Sequence, residues 1–153
     1  MIRITSFLAT AALMLASLCA SAASEFGTID EAKALVKKAA AYVDKNGREK
    51  SFEDFSRSPG PFVDRDLYVV VYDMQGLALA HPNPKWRGKN MMELRDQSGH
   101  NWVKERTELA LKGQPNGLQD TQIFNPTTKK VEPKRVYWER HGDLIIASGA
   151  YIK

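Results

Sequence analysis

The sequence predicts an α+β domain in which an antiparallel sheet carries helices on one side. Three observations predict it. Apolar residues recur at three- and four-residue steps through residues 29–43, the pattern of a helix with one buried stripe. The run Leu67-Tyr68-Val69-Val70-Val71-Tyr72 is almost entirely β-branched or aromatic, as suits a strand covered on both faces. Three more strand-like runs follow one another near the end of the chain, and strands joined by hairpins pair antiparallel.

Residues 1–22 read as a leader. Arg3 gives a positive start, residues 4–20 are apolar and rich in Leu and Ala, and Ala20-Ser21-Ala22 forms an A-x-A cleavage site. That is the composition of a secretory signal peptide. A retained membrane anchor is the alternative, but the apolar stretch is short for a span and no basic cluster follows it. Leu18 before Cys19 is too large for a lipoprotein leader. Residues 23–153 then form one domain.

Thr28 or Asp30 is expected to cap the first helix, with Glu31 in its first turn, where a negative charge complements the helix dipole. Ile29, Ala32, Val36, Ala39, Ala40 and Val43 make its stripe, and Asn46-Gly47 ends it. A shorter helix over residues 49–56 places Phe52 and Phe55 on one side. Ser58-Pro59-Gly60-Pro61 breaks the chain.

The strand at residues 67–72 turns through Asp73-Met74-Gln75-Gly76 into Leu77-Ala78-Leu79-Ala80, a hairpin. Beyond a loop from His81 to Gly88, residues 89–95 suggest a short helical turn. Residues 101–112 form a helix with Trp102, Val103, Leu109 and Ala110 on one face. The last strands are expected at residues 118–124, 131–139 and 144–152, with turns at Asn125-Pro126 and His141-Gly142-Asp143.

The chain has 153 residues, with 22 Lys and Arg against 18 Asp and Glu and a formal net charge of +4. The two signs are interleaved, which describes a solvated surface and excludes a nucleic-acid stripe. The one cysteine, Cys19, lies in the leader, so the domain must hold together without a disulfide. No second apolar run reaches the length of a membrane span. An exported, periplasmic product is expected.

Enzyme signatures are absent. His81, His100 and His141 have no cysteine partners and no metal-binding spacing. There is no nucleophile elbow, phosphate loop or dinucleotide fingerprint. Asp64 and Asp66 flank Arg65 and read as a surface pairing. No catalytic residue, cofactor or metal is assigned.

The order of elements, together with particular residues, resembles a single Cache domain, the extracellular PAS-like sensor module of bacterial receptors. The residues that carry the resemblance are Tyr68-Val69-Val70-Val71-Tyr72-Asp73 with Gly76, Ala80-His81-Pro82-Asn83-Pro84, Gly88-Lys89-Asn90, Asn125-Pro126 with Lys129, Pro133-Lys134, Tyr137-Trp138-Glu139-Arg140 and Ser148-Gly149-Ala150-Tyr151. The resemblance implies a PAS-like Cache fold with a five-stranded antiparallel sheet, a long N-terminal helix and a pocket on one sheet face. It also implies a small-molecule ligand, with short carboxylates favoured. Such domains usually sit between two membrane helices; this chain is similar to free-standing secreted members. Similar sequences often carry aromatics where this one has Leu118, Thr121 and Ile123, and an apolar residue where it has Arg106.

A short carboxylate needs a cation or several N–H donors facing a small apolar cavity. Arg106 lies four residues after Trp102 and three before Leu109, on the apolar face of its helix. A stem laid along the core edge with its head in water is the competing reading. His81 follows the second strand and can donate to a carboxylate or titrate with pH. Tyr68 and Tyr72 share one strand face with Val70, while Val69 and Val71 share the other. The pattern alone leaves open which face meets the pocket. Lys134 and Tyr137 are odd-spaced, so only a bulge at Pro133 would bring them to one face. Trp86 and Arg87 suggest a lid or surface anchor. Lys129, Lys130, Lys134 and Arg135 together read as a solvated hairpin edge.

The expected function is a periplasmic sensor domain that captures a short organic acid or similar metabolite for signalling, chemotaxis or uptake and presents it to a membrane receptor or a transporter. The alternative is an interaction module that docks on a receptor, or forms a homodimer, through its long helix. Exposed apolar residues at Leu35 and Tyr42 would favour that alternative.

Overall fold

Residues 24–152 are described in this computed structural model; the expected leader, residues 1–22, lies outside the described residues. Helix α1 (Ile29–Asn46) begins where Thr28 closes a capping box, its side chain accepting from Glu31 N while Glu31 accepts from the Thr28 N–H at 2.7 Å. Gly47, at φ 78°, ends α1 and starts α2 (Arg48–Phe55), a left-handed backbone that only glycine adopts freely.

The strands are β1 (Val63–Asp64), β2 (Leu67–Tyr68), β3 (Val70–Asp73), β4 (Ala78–Ala80), β5 (Asn116–Asn125), β6 (Lys130–His141) and β7 (Leu144–Tyr151), with α3 (Trp102–Leu111) between β4 and β5. The main sheet is antiparallel and five-stranded, in the order β4-β3-β7-β6-β5. The last strand in sequence is therefore the central one, and every residue of β7 is buried. Edge strand β5 alternates exposed and buried positions along most of its length.

The run expected as one strand over residues 67–72 divides at Val69. Tyr68 pairs with Val63 in a small hairpin, whereas Val70 pairs with Ala147 in the main sheet. The helical turn expected at residues 89–95 is instead a bridge from Asn90 to Leu77 followed by a tight turn. Asn90 also donates to Gln75 O across the hairpin, which draws this segment against β4.

The helices, expected on one side, are divided between the two sheet faces. On one face α1 and α2 bury Val36, Ala39, Val43 and Phe55 against Val69, Val71, Tyr137, Leu144 and Ile146. On the other, Trp102, Val103 and Ala110 of α3 pack against Val70, Tyr72, Val136, Trp138, Ile145 and Ala147. The reason is in the central strands, whose two faces are both apolar and both need a cover.

Leu35 and Tyr42 are engaged within the fold. Both pack against the α1 core cluster. The Tyr42 ring lies 5.0 Å from that of Phe62, and its hydroxyl donates to Asp54 at 2.7 Å. They leave no open apolar stripe beside the buried face of α1.

Candidate functional site

Alternation along β2 and β3 turns Val69 and Val71 toward α1 and sends Tyr68, Val70 and Tyr72 to the opposite face. A cavity of about 490 Å³ opens on that second face. Its wall includes Asp66, Tyr68, Tyr72, His81, Trp102 and Ile123, with Trp86, Phe124 and Val131 among the more exposed residues.

A β-bulge sets the position of His81. Ala78 pairs with Tyr72 but Ala80 pairs with Val71, so Leu79 is an extra residue between them. The strand therefore changes phase, with Ala78 in the α3-side cluster, Ala80 in the α1-side cluster, and His81 on the cavity wall. His81 Nδ1 accepts from Asn83 N at 2.9 Å, so the proton of the neutral ring sits on Nε2. Burial, followed by the charges of Lys134 and Arg87, pushes its pKa down to about 4. At neutral pH His81 is an uncharged donor, not the pH-titrating group its sequence position suggested.

Lys134 is buried, correcting its reading as part of a solvated basic edge: it is 3% exposed. Its Nζ lies 4.0 Å from the centre of the Tyr68 ring and 4.5 Å from that of Tyr151, and it has no hydrogen-bond partner. The ring that forms cavity wall thus also covers the ammonium. Burial pushes the Lys134 pKa down to about 7, against the opposing pull of Asp66.

Arg106 is buried too, at 1% exposure, so its head is not in water. Its Nε donates to Trp102 O at 3.2 Å and to Gln119 Oε1 at 2.9 Å. Its guanidinium sits 5.9 Å from the centre of the Tyr72 ring, and Nη2 has no partner. Burial pushes its pKa below the usual arginine range.

Tyr137 does not join this group. The pairing of β6 with β5 runs without a shift through Pro133, and its pairing with β7 runs without a shift from Lys134 on, so odd spacing separates Tyr137 from Lys134. Tyr137 packs under α1 and donates to Glu139 at 3.0 Å. Tyr68, Tyr72 and His81 are brought together on the wall, with Lys134 and Arg106 behind two of their rings. Of the three residues Leu118, Thr121 and Ile123, Ile123 lines the cavity, Thr121 is buried and Leu118 is exposed.

Asp66 lines this cavity although the sequence reading set it on the surface. Arg65 forms the surface pairing alone, holding Asp64 and Glu31, while Asp66 is 3% exposed. Period-two spacing could have found it: Asp66, Tyr68, Val70 and Tyr72 are evenly spaced. Asp96, the other carboxylate on the wall, is fully engaged. Burial pushes its pKa up, but hydrogen bonds from Ser98 and from the Gln122 and His100 N–H groups outweigh this and hold it at about 2. Among the described residues no group of three or more His, Cys, Asp or Glu could hold a metal ion.

The sequence profile of a family described as Single Cache domain 2 matches residues 3–153. Among solved structures, a methyl-accepting chemotaxis protein from Vibrio parahaemolyticus RIMD 2210633 is 24% identical with a TM-score of 0.69, covering 81% of this chain and 88% of that one. A Cache chemosensory domain described for its recognition of carboxylic acids is 17% identical with a TM-score of 0.68, over 81% and 92% of the two chains. The periplasmic sensor domain of a chemotaxis protein is 20% identical with a TM-score of 0.63, over 81% and 90%. A comparison with curated proteins gives no significant match.

Proposed function

The chain belongs to the single Cache domain family, and from that premise we propose that it is a periplasmic sensor domain that captures a short organic acid. In this reading the acid's carboxylate is taken by Lys134, once the Tyr68 ring turns aside, and His81 Nε2 donates a second hydrogen bond. The single observation that carries the proposal is the Lys134 ammonium, buried against a cavity wall without a partner. A buried charge left unpaired is costly, and an anion arriving in the cavity would relieve that cost. The chemosensory relative described for carboxylic acid recognition supports the same ligand class.

Arg106 and Tyr72 form a second, weaker anchor in this reading, because two hydrogen bonds already fix the guanidinium. Residues 1–22 act as a cleaved leader that delivers the domain to the periplasm; the mass of the exported protein tests this. Among the described residues no helix is long and apolar enough to cross a membrane. In this reading signal output passes through a membrane receptor or transporter that recognises the loaded domain.

A thermal-shift screen of short carboxylates, amines and sugars tests the ligand class. A carboxylate at a hundredfold excess over its Kd should stabilise the domain by about 2.7 kcal/mol. A flat response to every carboxylate would contradict the capture of an acid.

A further inference from the structure

The turn between β1 and β2 is built with effort for so small an element. Arg65, at its tip, has φ 56°, a left-handed backbone that an arginine adopts only when its surroundings enforce it. They do so here: the guanidinium donates to Asp64, Glu31 and the carbonyl of Phe26 at 2.7–3.2 Å. The consequence is the position of the next residue. Asp66 Oδ1 accepts from the Gly27 N–H at 2.6 Å. Leu67 packs so closely there that a Cβ on residue 27 would fall 2.3 Å from its side chain, which reserves the place for glycine. With Oδ1 committed, Oδ2 is buried and has no partner, on a residue that lines the cavity.

The cavity face thus holds two unsatisfied groups of opposite kind: an ammonium with hydrogens to give and a carboxylate oxygen with lone pairs to fill. They do not satisfy each other, although Asp66 acts on Lys134 electrostatically. A plain carboxylate would complete only one of them and leave Asp66 Oδ2 facing a ligand methylene.

We propose that the cavity takes a small acid that also carries a hydrogen-bond donor, a 2-hydroxy or 2-amino acid, with its carboxylate on Lys134 and its hydroxyl or ammonium donating to Asp66. This rests on the acid-capture reading above. Sites built to hydrogen-bond a ligand donor discriminate strongly against the analogue that lacks it, because their own polar group is then left unpaired.

Calorimetric titration with propionate, 2-hydroxypropionate and 2-aminopropionate tests the inference. At least one substituted acid should bind about tenfold or more tightly than propionate, and which of the two does so tells hydroxyl from ammonium. The variant Asp66→Asn sharpens the result. Its amide must turn the carbonyl oxygen to the Gly27 N–H, so the free group becomes a donor in place of an acceptor. The preference should fall to within about threefold in that variant. Equal affinity of the wild-type domain for all three acids would overturn the inference while leaving acid capture intact. So would a preference that survives Asp66→Asn. Binding of none of the three would overturn both. Should Asp66→Asn not fold, the wild-type comparison alone decides.

Discussion

The two faces of the central sheet differ in kind. The face under α1 and α2 is closed by Val36, Ala39, Val43, Phe55, Val71 and Ile146, and its buried polar groups Ser51 and Asp54 are hydrogen-bonded; Ser148 Oγ is its one unpartnered atom among the described residues. The opposite face buries Lys134, Arg106 and Trp138 with at least one polar atom unpaired on each, and Asp66 on the cavity wall adds another. Folding requires the first arrangement. The unpaired polar atoms of the second oppose folding, and in the proposed function they are retained beside the cavity because a ligand completes them. In that reading both faces hold the domain together, and the second also recognises the ligand.

If that division holds, substitutions on the two faces should separate stability from affinity. The largest effect is expected from Phe55→Ala, which removes a fully buried ring packed on Tyr42 and Phe62. It should cost about 3–5 kcal/mol in denaturant unfolding, with acid affinity unchanged wherever the domain remains folded. A large loss of affinity in the folded variant would show that the faces are coupled.

Lys134→Met should do the reverse. Acid affinity should fall about a hundredfold, as when one partner of a buried charged contact is truncated, while the ligand-free domain melts at a higher temperature. The wild-type domain also has a pH signature that this variant lacks. The folded-state pKa of Lys134, about 7, is below its ordinary 10.5, so the unfolded chain binds more protons between those values. Ligand-free stability should therefore rise with pH through that window, by up to about 1.4 kcal/mol per pH unit.

Smaller effects mark the limits of the comparison. Thr28→Ala opens the capping box of α1 and should cost about 1 kcal/mol in thermal unfolding without altering affinity. Arg106→Leu should change affinity by no more than about threefold, since the guanidinium is anchored by Trp102 and Gln119. A tenfold loss there would move the anion site from Lys134 to the Arg106 end.

What the sequence made legible follows from what repeats locally. Helix α1 was readable from its stripe and from Thr28 and Gly47, and the last three strands from their turns. Alternation put Tyr68 and Tyr72 on one face but could not say which face, because that depends on where α1 and α3 dock. Lys134 looked like one basic residue among four, since burial is decided by the register of β6 between β5 and β7. Period two correctly separated it from Tyr137. His81 owes its place to a bulge at Leu79, which leaves no local signature. Asp66 was hidden by its neighbour Arg65, whose ion pairs made the whole turn look superficial.

The central claim is that a buried, unpaired ammonium at Lys134 receives the ligand's carboxylate. The most direct measurement is the pH dependence of acid binding by calorimetry, in buffers of different ionisation enthalpy. The ammonium form binds the anion, so affinity should be level below about pH 7 and fall about tenfold per unit above it, with proton uptake on binding. An affinity that stays level well above pH 7, with no proton taken up, would contradict the account.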